Sequence, residues 1–119
     1  MSIDPVALVR HYHAALQPYD AGMAAACFAP GAVYVSPGVN GRIEGRDAII
    51  ASFSAYFAEY PDQCAEDGRI ERLSPLSARA AWRLAATSAK TGRRIVRHGI
   101  ETVQFDLAGK IIAVEVEDL

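Results

Sequence analysis

"RRIVRHGIETVQFDLAGKIIAVEVEDL", residues 93–119, decides the fold. Two β-rich runs flank a break at Leu107 to Gly109, a pattern that predicts an antiparallel hairpin. Just upstream, "SARAAWRLAATSA" (77–89) places Trp82, Leu84, Ala86 and Ser88 on one strand face. Before it, "CAEDGRIERLSP" (64–75) alternates more weakly around Ile70 and Leu73. The breaks between these runs are short, so the second half of the chain predicts a meander of four antiparallel strands. On the third of them, Glu101 shares a face with Arg97, Gly99, Val103 and Phe105.

The first half is helical, with one strand. Asp4-Pro5 is a helix start, because aspartate caps free amides and proline suits the first turn. Leu8, Val9, Tyr12, Ala15 and Leu16 then recur at helical spacing until Pro18. Asp20 caps a second short helix, "AGMAAACF" (21–28), which is expected to end near Pro30-Gly31. "AVYVS" (32–36) is a strand closed by Pro37-Gly38, and "GVNGRIEG" (38–45) is a loop with a short strand at Arg42-Ile43. Asp47 opens a third helix, with Ile49, Phe53, Tyr56 and Tyr60 on its buried face and Pro61 at its end. Helices segregated from a curved sheet make an α+β domain. Helices laid over the open side of such a sheet leave a cone with an internal pocket.

The 119 residues fit one domain, 1–119, with a real core and little to spare. Hydrophobic residues at 51% and charged ones at 22% are a globular balance. A net charge of −2 and a pI near 5.9 argue against a sequence-independent nucleic-acid binder, which needs a basic stripe. The nearest basic cluster, Arg93, Arg94 and Arg97, reads as a solvated strand end. Cys27 and Cys64 have no metal or redox spacing, so both read as free thiols in a reducing compartment. Residues 1–20 lack the apolar stretch of a signal peptide, and nowhere do about 18 apolar residues run together. The expectation is a soluble, cytoplasmic protein with neither a nucleic-acid nor a membrane partner. The histidines and carboxylates show no metal-ligand spacing, and the glycines of 38–45 follow no βαβ unit, so no metal or dinucleotide is implied.

Four stretches, spread over nearly the whole chain, resemble the nuclear transport factor 2-like superfamily, which includes the ketosteroid isomerases and SnoaL-like cyclases. They are "VRHYHAALQPYD" (9–20), "FAPGAVYVSP" (28–37), "GRIEGRDAIIASF" (41–53) and "GIETVQFDLAGKII" (99–112). The resemblance implies a conical barrel: a curved, mostly antiparallel sheet wrapped around three helices, with an internal pocket. It is weakly specific for activity, since this scaffold hosts enzymes, binding proteins and transport factors.

Ketosteroid isomerases, by resemblance, move a proton with an aspartate and hold the oxyanion with a tyrosine and a neutral carboxylic acid. Tyr12 matches the tyrosine, the alternative being a core tyrosine whose hydroxyl finds a local partner. Glu101 matches the neutral acid. Its apolar neighbours would desolvate it, which favours the uncharged donor form. The family residue is the shorter aspartate, and one methylene moves the donor by about 1 Å. The alternative for Glu101 is an ion pair with Arg97.

Ser36 stands where the family has its base, and a lone serine needs a base of its own. This argues against steroid delta-isomerase activity. Ser36 read without the family satisfies the turn before Pro37. Asp118, on one face with Val114 and Val116, is a candidate replacement base. His13 lies about 100° round the helix from Tyr12 and, with His11, reads as solvent-facing. His98 points away from Glu101. Phe53 replaces a second, supporting tyrosine. The expected pocket is therefore Tyr34, Phe53, Trp82, Leu84, Arg97, Val103, Phe105, Val114 and Val116, with core packing as the alternative for the aromatic residues.

Limonene epoxide hydrolases, a further branch, place arginine and aspartate two apart on one strand, where Arg97 and Glu101 are four apart. SnoaL-like cyclases depend on one acid–base carboxylate, for which Glu101 or Asp118 could serve. Three functions stay open: a cofactor-free isomerase or cyclase acting on a small hydrophobic carbonyl or phenolic compound, a binding protein that has lost the base, and an interaction module. Apolar content on both strand faces (Val96, Ile100 and Ile111 opposite Ile95, Val103 and Ile112) predicts a homodimer through the outer sheet face.

Overall fold

The computed structural model describes residues 3–37 and 41–119. Helix α1 runs Pro5–Leu16, and Asp4 caps it by accepting the Ala7 N–H at 3.2 Å. Helix α2, Ala21–Ala26, is capped the same way by Asp20, which accepts from Met23 N–H at 3.0 Å. Strand β1 is Phe28–Ser36, β2 is Gly41–Glu44, and helix α3 is Arg46–Glu59. Gly45 joins β2 to α3 with φ at 94°, a left-handed turn that favours glycine. Strands β3 (Cys64–Ser74), β4 (Ser77–Thr87), β5 (Arg94–Phe105) and β6 (Ile111–Asp118) follow as the expected meander.

The six strands form one curved, unclosed sheet in the order β2-β1-β6-β5-β4-β3. All neighbours are antiparallel except β1 and β6. The result is the expected α+β cone, open between its two edge strands. On β5 the alternation holds: Glu101, Val103 and Phe105 are buried, while Val96 and His98 are exposed on the outer face. Val9, Tyr12, Phe28, Ile49, Val103, Phe105, Ile111 and Val114 pack the core between α1, α3 and the inner face. Among the described residues no helix is long and apolar enough to cross a membrane.

Several boundaries differ from the sequence reading. Helix α2 ends at Ala26 rather than near Pro30-Gly31, because Phe28 already belongs to the sheet. Strand β1 starts at Phe28 rather than Ala32, so Pro30-Gly31 lies inside it. Its pairing with β6 shifts register between Phe28 and Val33, which accommodates a proline with no N–H to give. Ile111 and Ile112 exchange their expected faces: Ile111 is fully buried and Ile112 is 40% exposed. A register shift between Gln104 and Phe105 puts Gln104 opposite Ala113 and Phe105 opposite Ile111, which breaks strict alternation there. The expected break at Pro37-Gly38 and the start of the loop at 38–40 lie outside the described residues, except Pro37. Strand β2 extends the expected pair Arg42-Ile43 by one residue on each side.

Candidate functional site

Between α1, α3 and the inner sheet face lies a cavity of about 140 Å³. A void of about 150 Å³ admits one benzene ring. Its walls are largely apolar: Leu16 from α1, Phe53 and Phe57 from α3, Tyr34 from β1, Trp82 and Leu84 from β4. Phe53 meets Tyr34 edge to face, with centroids 5.1 Å apart. Burial, and secondarily the charge of Glu101, hold the Tyr34 phenol well above its ordinary ionisation range.

At one end of the cavity three titratable groups touch. Glu101, 6% exposed, reaches in from β5. Its Oε1 lies 2.5 Å from His13 Nε2 on α1. The other ring nitrogen, Nδ1, is 2.8 Å from Asp67 Oδ1 on β3, without the alignment of a full hydrogen bond. Burial by itself lowers the His13 pKa, but the bonds and charges of Asp67 and Glu101 outweigh it and hold the ring at about 10. At neutral pH His13 is therefore an imidazolium. It donates to Glu101 from one nitrogen, faces Asp67 with the other, and has no lone pair to act as a base. Glu101 is also part of the cavity wall. The Gln17 side chain donates to Ala65 C=O, so α1 is tied to edge strand β3 at two adjacent points.

The other end is built around Arg97. Its guanidinium donates to Asp118 through Nε and Nη2, both at 2.7 Å, and lies over the Trp82 ring at 5.4 Å. Arg97 holds the Asp118 carboxyl below its ordinary range. Tyr56 Oη is buried beside Arg97 with no fully formed hydrogen bond, and burial pushes its phenol up. Trp82 Nε1 is buried with no acceptor among the described residues. Among the described residues no group of three or more His, Cys, Asp or Glu is placed to hold a metal ion.

The model of the SnoaL-like domain matches residues 9–114. This chain belongs to the SnoaL-like family. Solved structures agree on the fold. A nuclear transport factor 2-like protein of Burkholderia thailandensis is 19% identical, with TM-score 0.84 over 98% of this chain and 92% of that one. A Mycobacterium tuberculosis protein in complex with estradiol-17beta-hemisuccinate is 18% identical, with TM-score 0.82 over 94% and 91%. The epoxide hydrolase/cyclase-like enzyme SalBIII, from pyran ring formation in the polyether salinomycin, is 18% identical, with TM-score 0.83 over 95% and 88%. Among curated proteins none matches the sequence.

In this SnoaL-like chain the structure gathers Glu101, Ser36, Tyr34, Phe53, Trp82, Leu84, Arg97 and Val116 around the cavity. Ser36 is 4% exposed at the end of β1. Val103, Phe105 and Val114 are packed in the core instead. Asp118 lies outside the cavity, on a shallow groove that shares Tyr56 and Arg97 with it. Glu101 and Arg97, a candidate ion pair by sequence, each take a different partner. Tyr12 is 1% exposed in the core, edge-on to Phe28 at 5.4 Å, and its hydroxyl has no partner among the described residues. Burial first, then the charge of Glu101, hold its phenol in the protonated form.

His13 does not face solvent as its angle round the helix predicts: its side chain is 15% exposed, between two acids. The signal was present. Val9, Tyr12, His13 and Leu16 sit at i, i+3, i+4 and i+7, one broad buried stripe. Asp67 gave no comparable signal, because it lies on the weakly patterned edge strand.

Proposed function

We propose that this chain binds a small carbonyl or phenolic ring compound in the cavity and moves a proton on it without a cofactor, in the manner of an isomerase or cyclase. One observation carries this reading: a buried carboxylate, Glu101, faces an apolar cavity with its other side fixed by the His13–Asp67 pair. In this reading Glu101 is the base. It takes the proton from a carbon next to the carbonyl, and the C–H electrons become the enolate double bond as the carbonyl electrons move onto oxygen. The resulting acid returns the same proton to that carbon or to a conjugated one. His13 holds Glu101 in place, and Asp67 holds His13. Ser36 is part of the cavity wall, Tyr12 lies in the core, and Asp118 acts through Arg97. The steroid-bound and cyclase-like neighbours support a hydrophobic, oxygen-bearing ligand, and the volume favours one ring over four.

The test is deuterium uptake from D2O into a panel of single-ring ketones, including 3-cyclohexenone, followed by mass spectrometry. Wild type is expected to exchange at least one of them well above the buffer rate, and Glu101→Gln to lose at least a hundredfold of that rate. Equal exchange by both proteins would refute the assignment of Glu101. A non-catalytic binding protein is the second reading, favoured by Ser36 in place of an aspartate. We further propose a homodimer through the outer sheet face, where Val96 is 69% exposed. A monomer by light scattering at micromolar concentration would refute that.

A further inference from the structure

We propose that Tyr34 is the oxyanion donor of this site: its phenol O–H bonds the carbonyl oxygen of a single-ring ketone while Glu101 works on the neighbouring carbon. This rests on the reading of Glu101 as the base and adds the group that takes up the charge which that step creates.

The chemistry sets where such a donor must stand. The carbon that loses its proton is bonded to the carbonyl carbon, so the donor belongs beside the base and not across the ring. The sheet provides that neighbourhood. Glu101 pairs with Val116 on β6, and Tyr34 pairs with Val114, two residues back on the same strand. The two residues therefore start two strands apart, about 10 Å, and two residues out of step, about 7 Å. Both line the same cavity on the inner face of a curved sheet, so the long phenol and the carboxyl close that gap from either side.

Access separates Tyr34 from the other tyrosines. The hydroxyls of Tyr12 and Tyr56 are closed even to water and have no fully formed hydrogen bond. The Tyr34 hydroxyl is not closed in this way, and it makes no hydrogen bond among the described residues. Phe53 meets the Tyr34 ring edge to face, with 83° between the planes, and so fixes the ring without using its O–H. Burial is the chief reason the phenol stays protonated, and the charge of Glu101 is the next. A protonated phenol donates, and an unpaired donor is satisfied when a ligand oxygen arrives. Tyr12, the tyrosine that the resemblance singles out, is sealed in the core, so the role passes to β1.

The step balances. Glu101 takes the proton, the C–H electrons form the enolate double bond, and the carbonyl electrons move onto oxygen. Negative charge leaves the carboxylate and appears on the oxygen that Tyr34 bonds. The phenol proton stays on Tyr34, and its bond strengthens as the oxygen becomes anionic. That gain exists in the transition state more than in the bound ketone, so it speeds the reaction.

Cyclohexanone labelled with 13C at its carbonyl tests the contact, because a hydrogen bond moves that NMR peak downfield. It is titrated into wild type, Tyr34→Phe and Tyr12→Phe, and the bound peak is read at saturation. Phenylalanine keeps the ring against Phe53 and removes a hydroxyl that has no protein partner, so Tyr34→Phe is expected to melt like wild type. The bound peak is expected to lie downfield in wild type and Tyr12→Phe and to move upfield in Tyr34→Phe. In D2O with saturating 3-cyclohexenone, Tyr34→Phe is expected to exchange about a hundredfold more slowly, the loss typical of one oxyanion donor. The proposal is overturned if either the peak or the exchange rate is unchanged in Tyr34→Phe, if the peak follows Tyr12 instead, or if cyclohexanone does not saturate at millimolar concentration. Exchange lost in Glu101→Gln but kept in Tyr34→Phe refutes the donor alone. A peak and an exchange rate that depend on Tyr34 but not on Glu101 refute the base alone.

Discussion

Replacing His13 by leucine removes the cation between Glu101 and Asp67. The leucine fills much of the same space, so the change is mainly electrostatic. Glu101 is 6% exposed and would be left without its partner. Removing one member of a buried ion pair costs about 3–5 kcal/mol. For a chain of this size that is a fall in Tm of roughly 10–20 °C near neutral pH. The pH dependence adds a sharper test. The pKa of His13 is raised from 6.5 to about 10 by folding, after the opposing effect of burial is overcome. A raised folded-state pKa stabilises fully below the unfolded value and loses that stabilisation as pH climbs through the folded one. The Tm gap between wild type and His13→Leu is therefore expected to be widest near pH 6 and to narrow steadily up to about pH 10. Circular dichroism melts at pH 6, 8 and 10 measure it. A gap under 2 °C at pH 6, or one that does not change with pH, would refute the ion-pair reasoning.

Tyr12→Phe should leave stability within about 0.5 kcal/mol of wild type, or raise it, because the buried hydroxyl has no partner to lose; urea denaturation reads this, and a loss above about 1.5 kcal/mol would show a bond to that oxygen. Gly99→Ala should destabilise by about 3 kcal/mol or more, since an added Cβ would stand 2.8 Å from Trp82 Cζ2 and collide with the Glu117 carbonyl across the ladder; a normal melt would contradict the close approach of β5, β6 and the indole. Arg97→Leu should lower stability by only about 1 kcal/mol, because its partner Asp118 has a side chain 36% exposed; a much larger loss would mean that the pair is sealed from water.

Most of the fold was legible because local rules agreed with one another. The caps at Asp4 and Asp20 and the period-2 pattern of β5 each had one consistent reading, and that pattern placed Glu101 inside. The start of β1 was missed because Pro30-Gly31 looks like a break, and only pairing with β6 shows a strand bent around a proline. Ile111 and Ile112 were exchanged because the shift near Phe105 belongs to the pairing of two strands, not to either strand's own pattern. The site was half legible. Sequence spacing put Tyr12 at the centre of the stripe on α1, and the resemblance to the ketosteroid isomerases gave it an expected oxyanion role. The packing of α1 across the edge of the sheet buries Tyr12 in the core and turns His13, one residue on, towards Glu101. Asp67 could not be found from β3 alone, since its role exists only once α1 has docked on that edge.

The most direct measurement is the protonation state of His13. In protein labelled with 15N at histidine, both ring nitrogens are expected to carry hydrogens at pH 8, with titration near pH 10. That result fixes His13 as a cation and leaves Glu101 as the base. A His13 that titrates near its ordinary 6.5 would be a neutral imidazole at working pH, and the proton would then have to be moved by His13 itself.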